Sequence, residues 1–158
     1  MSITPTYRTA AVVVALDQLS KLWALQHLTG RGPQPLLPGL LQQQLVFNTG
    51  AAFSMLTGNT LLLGLVSAAV AVGLVVWIQT AGPLRRLQML GLGLLLGGAI
   101  GNGIDRFRLG QVVDFLELVP IHFPIFNIAD VAINLAVACL VLDWWRQHGA
   151  PRRGRAGG

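Results

Sequence analysis

At 158 residues the chain makes one domain of ordinary size, yet 53% of it is hydrophobic and only 11% charged, about half the usual charged fraction of roughly 25%. That composition excludes an ordinary soluble globule, and the lone Cys139 excludes an internal disulfide framework or a cysteine-built metal site. A net charge of +5 raises nucleic acid as a partner, but where the arginines fall gives the charge a different meaning.

Four apolar segments approach the roughly 20 residues that a bilayer core requires: about 10–28, 60–78, 87–104 and 126–145. The first holds Asp17 and Lys21 at its centre and lacks a small-residue cleavage exit, so it reads as a retained span rather than a removed leader. Four spans put both termini on one face. Arg8, Arg85, Arg86, Arg146, Arg152, Arg153 and Arg155 fall on that face, and Arg31, Arg106 and Arg108 on the other. Seven against three places the termini, with the basic tail 146–158, in the cytoplasm. The basic tail is then a topology signal and an anionic-lipid contact, and no nucleic-acid role is expected. Two longer connections lie outside, about 29–59 and 105–125. The first mixes Gln with apolar residues in "LLQQQLVFNTGAAFSML", and periodicity does not choose between extended segments and an interfacial helix.

Ionisable residues within a span cost about 2.5 to 3.5 kcal/mol on insertion scales and so require a partner or a purpose. Asp17 and Lys21 in "DQLSK" are four apart on one helix face, which a plain structural ion pair explains. In the third span Gly93, Gly97 and Gly101 recur every four residues, a device for close helix approach. Asn102, Asp105 and Arg106 close that span; the last two read as a cap or snorkelling pair, although the arginine also suits a substrate carbonyl. In the fourth span Asn127, Asp130 and Asn134 draw one polar stripe. Interhelical hydrogen bonding accounts for the asparagines better than for the carboxylate. Asp130 lies about one helical turn into its span, roughly 6 Å below its start, so it is able to meet Asp114 of the second connection at the outer face.

His27, His122 and His148 are dispersed and no H-E-x-x-H occurs, which disfavours a metal triad or a Ser-His-Asp arrangement. Ser20 and Lys21 are adjacent and point roughly 100 degrees apart on a helix, which disfavours a Ser-Lys protease. Two carboxylates brought together in a low-dielectric site share one proton, and such a pair is able to activate water and polarise a carbonyl. A carboxylate-lined proton or cation carrier and a structural membrane adaptor stay open on the same residues.

"DQLSK", "FNTGAAFSML", "GGAIGNGIDR", "GQVVDFL" and "FPIFNIADVAIN", in this order, resemble the motifs of the lipoprotein signal peptidases, the type II signal peptidases of bacteria. The resemblance runs from Asp17 through the fourth span. It implies an all-α integral membrane aspartic peptidase with a small extracytoplasmic β-cradle and an interfacial helix between the first two of its four transmembrane helices. It further implies no metal or other cofactor, and as substrate the signal peptide of a prolipoprotein whose cysteine already carries diacylglycerol. Carried over by motif, the catalytic pair is Asp114 and Asp130. Asp17, Lys21, Asn48, Gly50, Asn102, Asp105, Arg106, Asn127 and Asn134 correspond to the surrounding polar residues. Of these, Asn127 and Asn134 are expected to orient Asp130, Arg106 and Asn48 to hold substrate backbone, and Asp17 and Lys21 to brace the helices behind. The expected setting is a monomer in the bacterial inner membrane among its lipids.

Overall fold

The computed structural model describes residues 3–50, 58–121 and 123–148. Among these, four helices and three strands follow in the order α1 (Thr4–Leu28), β1 (Gln34–Leu37), β2 (Leu41–Asn48), α2 (Thr60–Thr80), α3 (Arg86–Leu109), β3 (Val112–Leu118) and α4 (Ile128–His148), with a 3-10 turn over Val119–Ile121. Helices α2, α3 and α4 are each long and apolar enough to cross a bilayer. Helix α1 has the length, at 25 residues, but Asp17, Gln18 and Lys21 sit in its middle and lower its mean hydropathy. The molecule is inside out in the manner of a lipid-facing protein: Leu61, Leu65, Val72 and Val76 of α2 are exposed, while Asp17, Lys21, Asp105 and Asp114 are buried.

Helix α3 is the spine, packed against α1, α2 and α4. Its glycine stripe faces α1. A Cβ at Gly93 would lie 2.6 Å from the Thr6 carbonyl oxygen, one at Gly97 2.8 Å from that of Ala10, and one at Gly101 2.6 Å from Asp17 Oδ2. A second pair, Gly91 and Gly98, faces α4 in the same way, with the Ala136 and Ala129 carbonyl oxygens at 3.2 and 2.7 Å. Backbones thus approach on both sides of α3, and dispersion between close-packed chains holds the helices where the hydrophobic effect does not act. Helix α2 rests on α3 less intimately, with Gly64 on the Phe107 ring and Ser67 on Gly103, each at 3.3 Å.

Hydropathy and hydrogen bonding mark different boundaries. Helix α1 begins at Thr4 with Pro5 in its first turn, a position where a missing N–H costs nothing, rather than near residue 10. Helix α3 runs on to Leu109 and stops at Gly110, whose φ of 68° is the left-handed cap. Asp105 and Arg106 are therefore interior to the helix, not its end, and Asp105 is no surface cap but a buried residue.

The first connection resolves in favour of extended structure over its described part. The sheet is antiparallel in the order β1-β2-β3, so the fold is mostly helical rather than all-α, and its third strand comes from the second connection. Val46 pairs with Asp114 and Phe47 with Val113, beyond an irregularity between Gln43 and Val46. The interfacial helix expected after it falls on residues 51–57, outside the described residues. Beyond β3 the chain turns back, and Phe126 bridges Leu116 through two hydrogen bonds of 2.9 Å. That bridge brings the start of α4 alongside β3.

Candidate active site

Asp114 stands on β3, buried at 2% exposure, and Asp130 stands in the first turn of α4. Asn127 joins them. It precedes α4, where its Oδ1 accepts the Asp130 N–H at 3.0 Å and its own N–H donates to Asp130 Oδ2 at 3.2 Å. This is the reciprocal arrangement of a capping box, with a carboxylate as its third-position partner. The Asn127 side-chain amide also donates to Asp114 Oδ1 at 2.6 Å and to Asn102 Oδ1 at 3.0 Å. One asparagine therefore caps the helix and fixes both acids.

Asn102 of α3 donates to Asp130 Oδ1 at 2.8 Å, and Asn48 of β2 donates to Asp114 Oδ2 at 3.0 Å. Asn48 Oδ1 accepts the Gly50 N–H at 2.9 Å, and the Gly50 carbonyl accepts Arg106 Nη2 at 3.3 Å. Arg106 Nε is buried without a partner among the described residues, a donor left available beside the two acids. Asn134 meets Asp130 through the main chain: its amide donates to the Asp130 carbonyl at 2.9 Å.

Behind the pair lies a buried ionic cluster. Lys21 Nζ is 2.8 Å from Asp17 Oδ2, 3.0 Å from Asp105 Oδ2 and 3.0 Å from Asn102 Oδ1. Gln18, which carried no distinct signal between Asp17 and Lys21, donates to Asp17 Oδ2, Asp105 Oδ1 and the Gly101 carbonyl at 3.1 to 3.2 Å. Another pairing invisible in the sequence lies at the opposite end, where Arg85 donates to both oxygens of Asp143 at 2.9 and 2.7 Å.

The electrostatics follow from placement. Burial pushes the Asp114 carboxyl up to about 7, and the negative charge of Asp130 adds to the rise; the amides of Asn48 and Asn127 and the charge of Lys21 hold it back. Both acids line a cavity of about 650 Å³. Asn102 and Arg106 share its polar end, and Val66 and Val70 of α2, Leu95 of α3 and Ile133 of α4 form its apolar walls. Among the described residues no three His, Cys, Asp or Glu side chains are grouped to ligate a metal. Two acids lining a largely apolar cavity, one of them inclined to stay neutral, suit acid–base chemistry.

Residues 9–146 match the family described as signal peptidase (SPase) II. The chain is 50% identical over 150 residues to the lipoprotein signal peptidase of Parasynechococcus marenigrum (strain WH8102), covering 95% of this chain and 94% of that one. It is 51% identical over 140 residues to the lipoprotein signal peptidase of Synechococcus sp. (strain RCC307), covering 88% and 93%. The fold is similar to that of a bacterial membrane enzyme determined by the in meso method at 2.3 Å, with a TM-score of 0.85 and 25% identity over 96% of this chain and 94% of that one. A second such enzyme, at 1.9 Å, gives 0.79 and 28% over 88% and 91%.

Proposed function

Since the chain belongs to the signal peptidase II family, we propose that it is a single membrane-embedded aspartic endopeptidase domain that removes the signal peptide of diacylglyceryl-modified prolipoproteins, with Asp114 and Asp130 as the catalytic pair. The observation that carries this reading is the sharing of Asn127 by two otherwise distant carboxylates at the polar end of an apolar cavity.

The reaction follows from the pair's single proton. Asp114, whose burial favours the neutral form, gives its proton to the scissile carbonyl oxygen as Asp130 takes one from the attacking water, whose oxygen bonds to the carbonyl carbon. The tetrahedral diol then collapses: the C–N bond breaks and the proton held by Asp130 leaves on the amine of the lipidated cysteine. Asp114 and Asp130 exchange roles as the new carboxyl forms, and the pair regains its one proton. Arg106, beside the acids, holds a substrate carbonyl, whereas Asn48, for which the same role was expected, donates to Asp114 Oδ2 and orients that acid. The signal helix occupies the cavity over α3, between α2 and α4, and its lipid chains lie in the surrounding leaflet.

The setting belongs to the same proposal. Four spans, α1 included, cross the bacterial inner membrane; both termini are cytoplasmic, and the acids face outward. The excess of arginine at one end of the bundle supports this orientation, and Trp77, Trp144 and Trp145 near that end of α2 and α4 suit a membrane–water interface on either side. The enzyme acts as a monomer on substrate and lipid, and its chemistry needs no metal.

The test is direct. Purified full-length protein in detergent cleaves a lipidated prolipoprotein in the presence of EDTA. Asp114→Asn and Asp130→Asn each lower kcat at least about a hundredfold while the protein stays folded. Wild-type turnover in either variant refutes the assignment.

A further inference from the structure

The ionic cluster behind the site has a specific geometry. Asp17 Oδ1 accepts the N–H of Ala129 at 2.9 Å, and Ala129 immediately precedes Asp130. Asp105 Oδ2 accepts the N–H of Val113 at 3.1 Å, and Val113 immediately precedes Asp114. Each catalytic acid thus follows a residue whose backbone is pinned by a buried carboxylate of another helix. Lys21 binds both pinning carboxylates, at 2.8 and 3.0 Å, and Gln18 bridges them a second time. Lys21 also holds Asn102 Oδ1, which turns the Asn102 amide toward Asp130.

An ion pair that only braced helices would need one acid for one base. Here two acids share one base, and the excess negative charge is tolerated because further donors reach the carboxylates: the Ala129 N–H takes the other oxygen of Asp17, while the Val113 N–H shares Asp105 Oδ2 with Lys21 and Gln18 takes Oδ1. Those N–H groups are the ones beside the catalytic residues. Building on the dyad reading above, we propose that Lys21, through Asp17 and Asp105, sets the separation of the Asp114 and Asp130 carboxylates and is a positioning residue of the reaction.

Separation governs how strongly the two acids share a proton, and therefore the width of the pH profile. The charged groups acting on Asp114 are Asp130 of α4 and Lys21 of α1, and Arg106 of α3 faces both acids. Among the described residues, β2 adds the Asn48 amide, and α2 contributes Ser67, Val66 and Val70. At an effective dielectric of about 20, parting two charges from about 4 to about 5 Å weakens their coupling by roughly half a pH unit. A displacement of that size also costs on the order of a hundredfold in turnover.

The variants are Lys21→Met, the single Lys21→Gln, and the double change Lys21→Gln with Asp105→Asn, made in the full chain in detergent. The double change keeps the cluster's net charge, and an amide in place of the Asp105 carboxylate still accepts the Val113 N–H; the single Lys21→Gln, which leaves both acids without their base, is the comparison. For the double change the expected result is a kcat lower by about ten- to a hundredfold, KM within about twofold, and limbs of the bell-shaped profile drawn together by about half a unit; the single Lys21 changes also remove a charge that holds Asp114 down, so they are read on kcat. The profile's shape does not depend on how much protein is folded, so residual activity reports the geometry even in a poorly yielding variant. Unchanged profile width and unchanged turnover per folded enzyme overturn the positioning role. If Asp114→Asn and Asp130→Asn are inactive at the same time, the dyad survives that result; if either is active, the dyad itself falls.

Discussion

Asn127→Ser separates the two tasks that Asn127 combines. Serine ranks with asparagine as a helix cap, so the Asp130 N–H keeps an acceptor, and the main-chain bond from residue 127 to Asp130 Oδ2 is untouched. The shorter side chain does not reach Asp114 Oδ1 or Asn102 Oδ1, now bonded at 2.6 and 3.0 Å. A hydrogen bond to a charged group contributes about 1.5 to 3 kcal/mol, and about 1.4 kcal/mol corresponds to one pH unit. The donor favours the ionised form of Asp114, so its loss lets the carboxyl hold its proton to higher pH than the present value of about 7. The alkaline limb of the kcat/KM profile should therefore move up by about one unit while the acid limb stays. Stability, with Asp114 ionised, should fall by about 2 to 4 kcal/mol for the two lost bonds. The assay is cleavage of a lipidated peptide between about pH 5 and 9, with thermal unfolding in the same detergent. An alkaline limb that stays in place or moves down refutes the assigned contact.

Gly97→Ala and Gly73→Ala should act in opposite directions. A Cβ at Gly97 lies 2.6 Å from Val13 Cβ and 2.8 Å from a carbonyl oxygen, whereas one at Gly73 meets nothing within 4 Å. Overpacking of about 1 to 3 kcal/mol outweighs the helix-propensity gain of about 1 kcal/mol at the first position only, so the unfolding temperature should drop for Gly97→Ala and rise slightly for Gly73→Ala; a rise at both sites removes the close-packing account of α3. Because folding raises the Asp114 carboxyl from its ordinary 3.8 to about 7, the folded state binds this proton more tightly than the unfolded chain. The contribution is fully present below about pH 4 and is lost as pH rises through about 7, amounting to at most about 4 kcal/mol. Wild-type unfolding temperature should fall across this window more steeply than that of Asp114→Asn, and equal slopes contradict the burial argument.

The pattern of polar residues within apolar spans, and the glycine repeat of α3, are legible because both break a strong local expectation. An acid in a span has a cost that demands explanation, and glycines four apart align on one face. The partner of each glycine is not legible, which is why the stripe facing α1 is visible in sequence and the sparser Gly91 and Gly98 contacts with α4 are not. Asn127 stands out as polar, but its capping role depends on α4 beginning at Ile128, two residues later than hydropathy suggests. That Asn134 meets Asp130 at its main-chain carbonyl is not legible in the polar stripe; a side chain four residues on reaches the preceding turn's carbonyl. Gln18 and the Arg85–Asp143 pair gave no signal, since their partners lie 87 and 58 residues away. Strand β3 is equally hidden, because Val112 to Phe115 are all buried and no alternation of apolar and polar residues marks it.

The unequal way in which the helices meet α3 divides the bundle mechanically. Against α1 and α4 the spine offers bare backbone, and sliding either helix would drive side chains into carbonyl oxygens. Against α2 it offers the Phe107 ring, which lies on Gly64, and Gly103, on which Ser67 of α2 rests, each at 3.3 Å; the ring is a surface that yields by side-chain rotation. The half of the molecule that carries the acids and their ties is consequently held by tight backbone contacts, and the α2 wall of the cavity is seated on softer ones.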